Sequence, residues 1–189
     1  MKQILLLGDS IRMGYCGNVK QLLAKDAEVI YPCENCRSSQ NIIMSLTAWV
    51  KLCKPQSVKV VQFNCGHWDA AHFQYDAEPL TSEREYRKNL AIIVRMLKGR
   101  FPQATLVFAT TTPMNPAYPE NSNPRTTEDI MRYNEIAAEV MRENGVEIND
   151  LFSLMNECGE DSYIDYCHLT EQEYERLGRQ VAKCLKRYL

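Results

Sequence analysis

Histidine is scarce in this chain, three in 189 residues, and net charge is nearly absent, at −2. So small a charge leaves no electrostatic footprint for nucleic acid or for an anionic membrane surface. No apolar run approaches the roughly 20 residues that span a bilayer. The opening stretch from Lys2 to Leu7 is too short for the apolar core of a signal peptide, lacks a small-residue cleavage site, and already reads as a strand. Repeats, low-complexity linkers and composition breaks are missing as well. The expectation is one domain over 1–189, long enough to bury its own core, soluble and cytoplasmic, with no nucleic-acid or membrane partner. The eight cysteines, at 16, 33, 36, 53, 65, 158, 167 and 184, lack the regular spacing of a disulfide framework. Cys33-x-x-Cys36 is the one tight pair, and a closed structural zinc site needs four ligands. Reduced, mostly buried thiols are the expectation, with Cys53 and Cys184 on apolar helix faces.

What is present is alternation. Five short runs rich in Val, Ile and Leu, at 3–7, 28–31, 58–63, 105–109 and 146–148, are separated by stretches of helical period. Those stretches centre on Val19, Leu46, Leu90, Ala137 and Leu177, five helices in all. Short apolar runs suit strands covered on both faces, and strict strand–helix alternation predicts a parallel sheet with helices on both sides. Thr170, with Glu173 three residues on, predicts a capping box at the start of the last helix. Residues 112–129, with four prolines and three asparagines, form a long loop, expected to line a binding site because it follows the fourth strand.

In an open parallel sheet, ligands bind outside the carboxyl ends of the strands. Each predicted strand here runs straight into polar sequence. The first reaches Gly8-Asp9-Ser10, the second Pro32 to Ser38, the third Asn64-Cys65-Gly66-His67-Trp68-Asp69, and the fourth Thr110-Thr111-Thr112-Pro113; Asp165-Tyr166-Cys167-His168 lies beyond the fifth. A serine hydroxyl attacks a carbonyl only when a base takes its proton and a third group orients that base. Ser10, His168 and Asp165 are the residue types that unit needs. Asp9-Ser10 equally suits a helix N-cap. His67 and His72 have no carboxylate at ligand spacing and read as loop histidines, and Arg12 and Arg37 read as structural or solvated.

Gly8-Asp9-Ser10 near the start and Asp165-x-x-His168 before the last helix together resemble the GDSL, or SGNH, hydrolase family over essentially the whole chain. The resemblance implies a flavodoxin-like three-layer α/β/α fold with a five-stranded parallel sheet, and a serine esterase that needs no metal or organic cofactor. It makes Ser10 the nucleophile, His168 the general base and Asp165 the residue that orients it. The oxyanion hole would comprise the Ser10 N–H, a second-block N–H and a third-block asparagine. Two blocks depart from the family pattern. Cys36 stands where a glycine is expected, and Trp68 where the third block carries asparagine, so the donors are assigned to Cys36 N–H and the Asn64 side chain. Asp9 is expected to steady the nucleophile turn at the substrate site, with Trp68 as a pocket wall and Thr112 opening the lining loop. The substrate expected is a small-molecule acyl ester with a short acyl group, such as a carbohydrate acetate. A non-catalytic ligand- or glycan-binding module, or a serine-dependent acyltransferase, are the other readings of the same residues.

Overall fold

The computed structural model describes residues 1–73, 76–118 and 123–189. The five strands β1 (Gln3–Leu7), β2 (Glu28–Ile30), β3 (Val58–Phe63), β4 (Thr105–Ala109) and β5 (Glu147–Asn149) make one sheet in the order β2-β1-β3-β4-β5, every pair parallel. Six α-helices connect and cover it: α1 (Ser10–Leu22), α2 (Ser39–Trp49), α3 (Glu83–Arg100), α4 (Thr127–Glu143), α5 (Leu151–Asn156) and α6 (Glu171–Lys186). This is the expected three-layer α/β/α arrangement.

The layers follow from the pleat, because successive side chains of a strand point to opposite faces. Leu5 and Leu7 of β1 pack with α2, α3 and α4, whereas Ile4 and Leu6 pack with α1, α5 and α6. All five β1 residues are buried, so β1 reads as a continuous apolar run. Gln62 of β3 is the polar exception. Its Nε2 donates to Tyr15 Oη at 3.1 Å and its Oε1 accepts from Asn149 Nδ2 at 3.0 Å, while Gln180 Nε2 donates to Asn149 Oδ1 at 3.1 Å. With each polar side chain partnered, this line ties β3, β5, α1 and α6 together without the cost of a bare buried amide.

Several local expectations are corrected. The edge strands end one residue early at β2 and begin one residue late at β5. The six-residue α5 is additional, and α2 stops at Trp49, so that Cys53 lies beyond a 3-10 turn, buried but not helical. Thr170 is the N-cap of α6 as expected, but its side chain makes no capping bond, and the Glu173 carboxylate turns toward Arg176 Nη1 at 3.5 Å and Cys158 Sγ at 3.9 Å. A reciprocal capping box forms at Thr126 and Asp129, at the start of α4. All eight cysteines are free, with Cys33 exposed. Among the described residues no helix is long and apolar enough to cross a membrane.

The chain leaves β1 for β2 on one side and returns to β3 on the other. The carboxyl ends of β1 and β3 therefore flank the crevice where a parallel sheet binds ligands.

Candidate active site

Strand β1 ends in a tight turn into α1. Asp9 is the N-cap, its Oδ1 accepting from Ile11 N–H at 3.0 Å, and Ser10 is the first helical residue. The Ser10 N–H is thus one of the first-turn amides that a helix leaves without an internal acceptor. Gly8 is required by close approach: a Cβ there would sit 1.9 Å from Asn64 Oδ1 and 2.8 Å from Arg12 Cβ. The buried Arg12 clamps this turn to the loop after β2. It donates to Gly8 O at 3.2 Å, Pro32 O at 3.0 Å and Glu34 O at 2.6 Å.

The segment before α6 is folded back on itself by an antiparallel bridge between Tyr163 and Leu169, with Ile164 N–H donating to His168 O at 2.9 Å. Asn115, from the loop after β4, holds its outer side, donating from N–H to Tyr166 O at 2.8 Å and from Nδ2 to Asp165 O at 3.0 Å. Within the loop Asp165 Oδ1 accepts from the N–H groups of Cys167 (2.9 Å) and His168 (2.7 Å), and Oδ2 accepts from His168 Nδ1 at 2.7 Å. Partial burial alone would raise the Asp165 pKa; the two backbone donors and the imidazole outweigh it and hold the carboxyl below its ordinary value. With Nδ1 carrying the proton toward Asp165, Nε2 is left to accept from Ser10 Oγ, which lies 2.8 Å away. The Ser10–His168–Asp165 chain, expected from residues 158 positions apart, is therefore assembled within hydrogen-bond reach.

Ser10 and His168 open onto a cleft of about 140 Å³, walled by Asn35, Trp68, Arg125 and Tyr166 among others. Trp68 is thus the expected wall. The other assigned residues lie elsewhere. Cys36 N–H donates to Gly8 O at 3.0 Å, so its assignment as an oxyanion donor is corrected: the hydrogen is already engaged inside the fold. The left-handed backbone that favours glycine falls one residue later, at Arg37 (φ 53°). Arg37 N–H donates to Asn35 Oδ1 at 2.8 Å. Asn64 is buried against Gly8, behind the cleft wall, with Oδ1 lacking a donor among the described residues. Asp9 is wholly buried; burial raises its pKa, opposed by the Asn64 amide, the Ile11 N–H and the Arg125 and Arg12 charges. It supports the turn and has no face open to a ligand.

Thr112 is buried and faces His67 rather than the cleft. Arg125 Nε donates to His67 Nδ1 at 3.3 Å, so His67 carries its proton on Nε2, 3.2 Å from Thr112 Oγ1. Burial, with the Arg125 and His168 charges, pushes the His67 pKa well below the usual histidine value and keeps the ring neutral. The long loop contributes to the cleft through Asn123 and Arg125; positions 119–122 of the expected lining lie outside the described residues. Donor atoms of Asp165, Cys167 and His168 lie within 4.8 Å of one another. Burial pushes the Cys167 thiol up to about 12, so it is no ready thiolate, and the two other atoms already bond to each other. This trio fits a metal poorly.

The GDSL-like lipase/acylhydrolase family model matches residues 6–176, spanning both the Gly8–Ser10 turn and the Asp165–His168 loop. The chain belongs to that family. Among solved structures it is similar to a lipase/acylhydrolase from Enterococcus faecalis (20% identity, TM-score 0.76, covering 99% of this chain and 96% of that one). It is likewise similar to an acetyl xylan esterase (16%, TM-score 0.77, 97% and 99%) and to a carbohydrate acetylesterase from Sinorhizobium meliloti (15%, TM-score 0.75, 100% of both). At such identities these likenesses speak for the fold. No curated protein sequence matches the chain at a significant level.

Within this GDSL-like acylhydrolase, Asn35 and Arg125 are among the cleft residues that sequence reasoning missed. Asn35 comes from the loop after β2 and Arg125 from the proline-rich loop after β4. An asparagine two residues before a turn and a lone arginine in a long loop were the only signals.

Proposed function

We propose that this chain is a serine ester hydrolase acting on short-chain acyl esters, with carbohydrate O-acetyl esters as the substrate class. The observation that carries the reading is the unbroken line from Ser10 Oγ through His168 to Asp165, open to a small cleft. Ser10 Oγ attacks the ester carbonyl while His168 Nε2 takes its proton, and Asp165 holds the imidazolium that forms. The tetrahedral oxyanion rests on the Ser10 N–H and on the Asn35 amide. Asn35 Oδ1 is already engaged by Arg37 N–H, which leaves its NH₂ group to donate into the cleft. Collapse expels the alcohol, which receives the proton from His168. Water then attacks the acyl-Ser10 ester by the same route and releases the acid. Asn64 is a support of the Gly8–Ser10 turn in this reading. The eight unpaired thiols suit a reducing compartment, and on that ground we place the protein in the cytoplasm.

Covalent labelling tests the mechanism. A fluorophosphonate should add one adduct to the native chain by intact mass, and none to Ser10→Ala. The same variant should lose turnover of an activated acetate ester, and the Ser10→Ala/His168→Ala pair should be scarcely worse than either single variant. A folded chain that neither labels nor turns over esters would point to a binding module.

A further inference from the structure

Arg125 lines the cleft that holds Ser10 and Arg37 lies over its Trp68 wall, and among the described residues neither has a carboxylate partner. Arg125 lies over the Tyr166 ring, 5.4 Å from its centroid, and Arg37 lies over Trp68 at 5.7 Å. Tyr166 and Trp68 are both walls of the cleft, as is Arg125 itself. Arg125 is half-buried and held in place: Nε donates to His67 Nδ1 at 3.3 Å, Nη1 donates to Asn123 O at 2.9 Å, and Nη2 approaches Cys167 Sγ at 3.6 Å. Tyr166 Oη also accepts from Arg125, and since a guanidinium has five N–H donors these described contacts do not exhaust it.

Among the described residues, the acidic groups near the cleft are otherwise engaged. Asp165 is occupied by His168 and two backbone N–H groups, Asp9 is sealed in the nucleophile turn, and Glu34 Oε1 accepts from Trp49 Nε1. Among the described residues neither Arg125 nor Arg37 forms an ion pair, although Arg87, Arg132, Arg176 and Arg179 all do. A partly desolvated charge without a counter-ion is costly, and a planar fork of N–H groups matches a carboxylate. We propose that the preferred substrate is an ester of an acidic molecule, whose carboxylate is bound by Arg125 with Arg37 adding to the positive rim. The inference rests on the ester-hydrolase reading and narrows it from acetyl esters in general to those of carboxylate-bearing alcohols such as acidic sugars.

A pair of isosteric esters tests it with the full chain. 2-Acetoxyacetate and 2-acetoxyacetamide present the same acetyl group and differ in charge alone. The anion should be preferred in kcat/KM by about ten- to a hundredfold, the scale of one hydrogen-bonded ion pair. High salt should shrink the preference. In Arg125→Gln the anion-to-amide ratio should fall to within about twofold of one, with Arg125→Lys in between. Calorimetry with the product anion glycolate against glycolamide repeats the comparison in the native protein and needs neither turnover nor a variant. Glycolate binding that glycolamide does not reproduce supports the anion site even if no ester is cleaved; in that case the hydrolase reading alone falls. Equal hydrolysis of the two esters, or equal binding of the two products, overturns the proposal and leaves the hydrolase standing. An Arg125→Gln variant that loses both esters alike also overturns it, because Arg125 would then serve the transition state and not the carboxylate.

Discussion

Asn35 and Asn64 both follow a parallel strand, and both are near Ser10 in space, yet their surroundings give them different work. Asn35 is half-buried on the cleft wall with its carbonyl oxygen tied to Arg37 N–H, so its NH₂ group has a fixed direction. Asn64 is buried against Gly8, where its side chain fills the space that a Cβ would otherwise claim. A donor aimed at the developing oxyanion lowers the barrier more than it aids binding. Asn35→Ala should therefore reduce kcat by about two to three powers of ten with little change in KM. Asn64→Ala should cost thermal stability first, with a much smaller loss of kcat in the folded protein. Steady-state kinetics beside a melting curve for each variant separates the two. The reverse ranking would return the donor role to Asn64.

At the scale of elements, β1, β3 and β4 were legible to the residue, because buried runs of branched apolar side chains end abruptly in polar sequence. The two edge strands pair on one side alone and are three residues long, too few for period to set their ends. Helix α5, at six residues, falls below the length at which helical period has meaning. The Thr170–Glu173 spacing was that of a capping box, but Arg176 and Cys158 offered Glu173 other company, which spacing alone does not reveal. One junction that the sequence marked weakly is electrostatic. Asp69, at the end of the turn carrying Trp68, accepts from Ser39 N–H at 3.0 Å and Ser39 Oγ at 2.5 Å at the start of α2. Burial raises its pKa to about 6 despite those donors. Between its ordinary value of 3.8 and about 6, the folded chain binds a proton that the unfolded chain has released. Stability from this group is thus fullest at the acid end and falls as pH rises through that window, by about 3 kcal/mol at most. Asp69→Asn keeps an oxygen for Ser39 N–H and removes the titration. Urea unfolding at pH 4.5 and pH 7 should show the native chain losing more stability than the variant across that interval; parallel losses would mean that Asp69 does not titrate there.

For the whole molecule, the legible part was convergence: a parallel sheet sends every carboxyl-end loop to one edge, so Ser10 and His168 were expected to meet although most of the chain lies between them. Arg125 was not legible, because a loop without period gives no hint of which side chain it turns inward. The volume left between those loops then sets what enters. A cleft of about 140 Å³ is small beside the roughly 300–1,000 Å³ of a typical ligand pocket. An acetyl group fits within that space with part of the alcohol. An octanoyl chain would have to run out beyond it, and the large apolar side chains that remain exposed, among them Met44, Leu52, Met131 and Ile164, are spread over separate elements of the chain. Extending the acyl group therefore adds atoms that gain no burial and displace the alcohol from the cleft. Across a series of 4-nitrophenyl esters, kcat/KM should be highest for acetate and fall by at least about tenfold at octanoate, each lost 1.4 kcal/mol being one power of ten. The fall should lie mainly in kcat, since a misplaced carbonyl loses alignment with Ser10 Oγ before it loses all affinity. A rate that climbs steadily with chain length would mean that the loops part to expose an apolar groove, and would move the substrate from small polar esters to lipids.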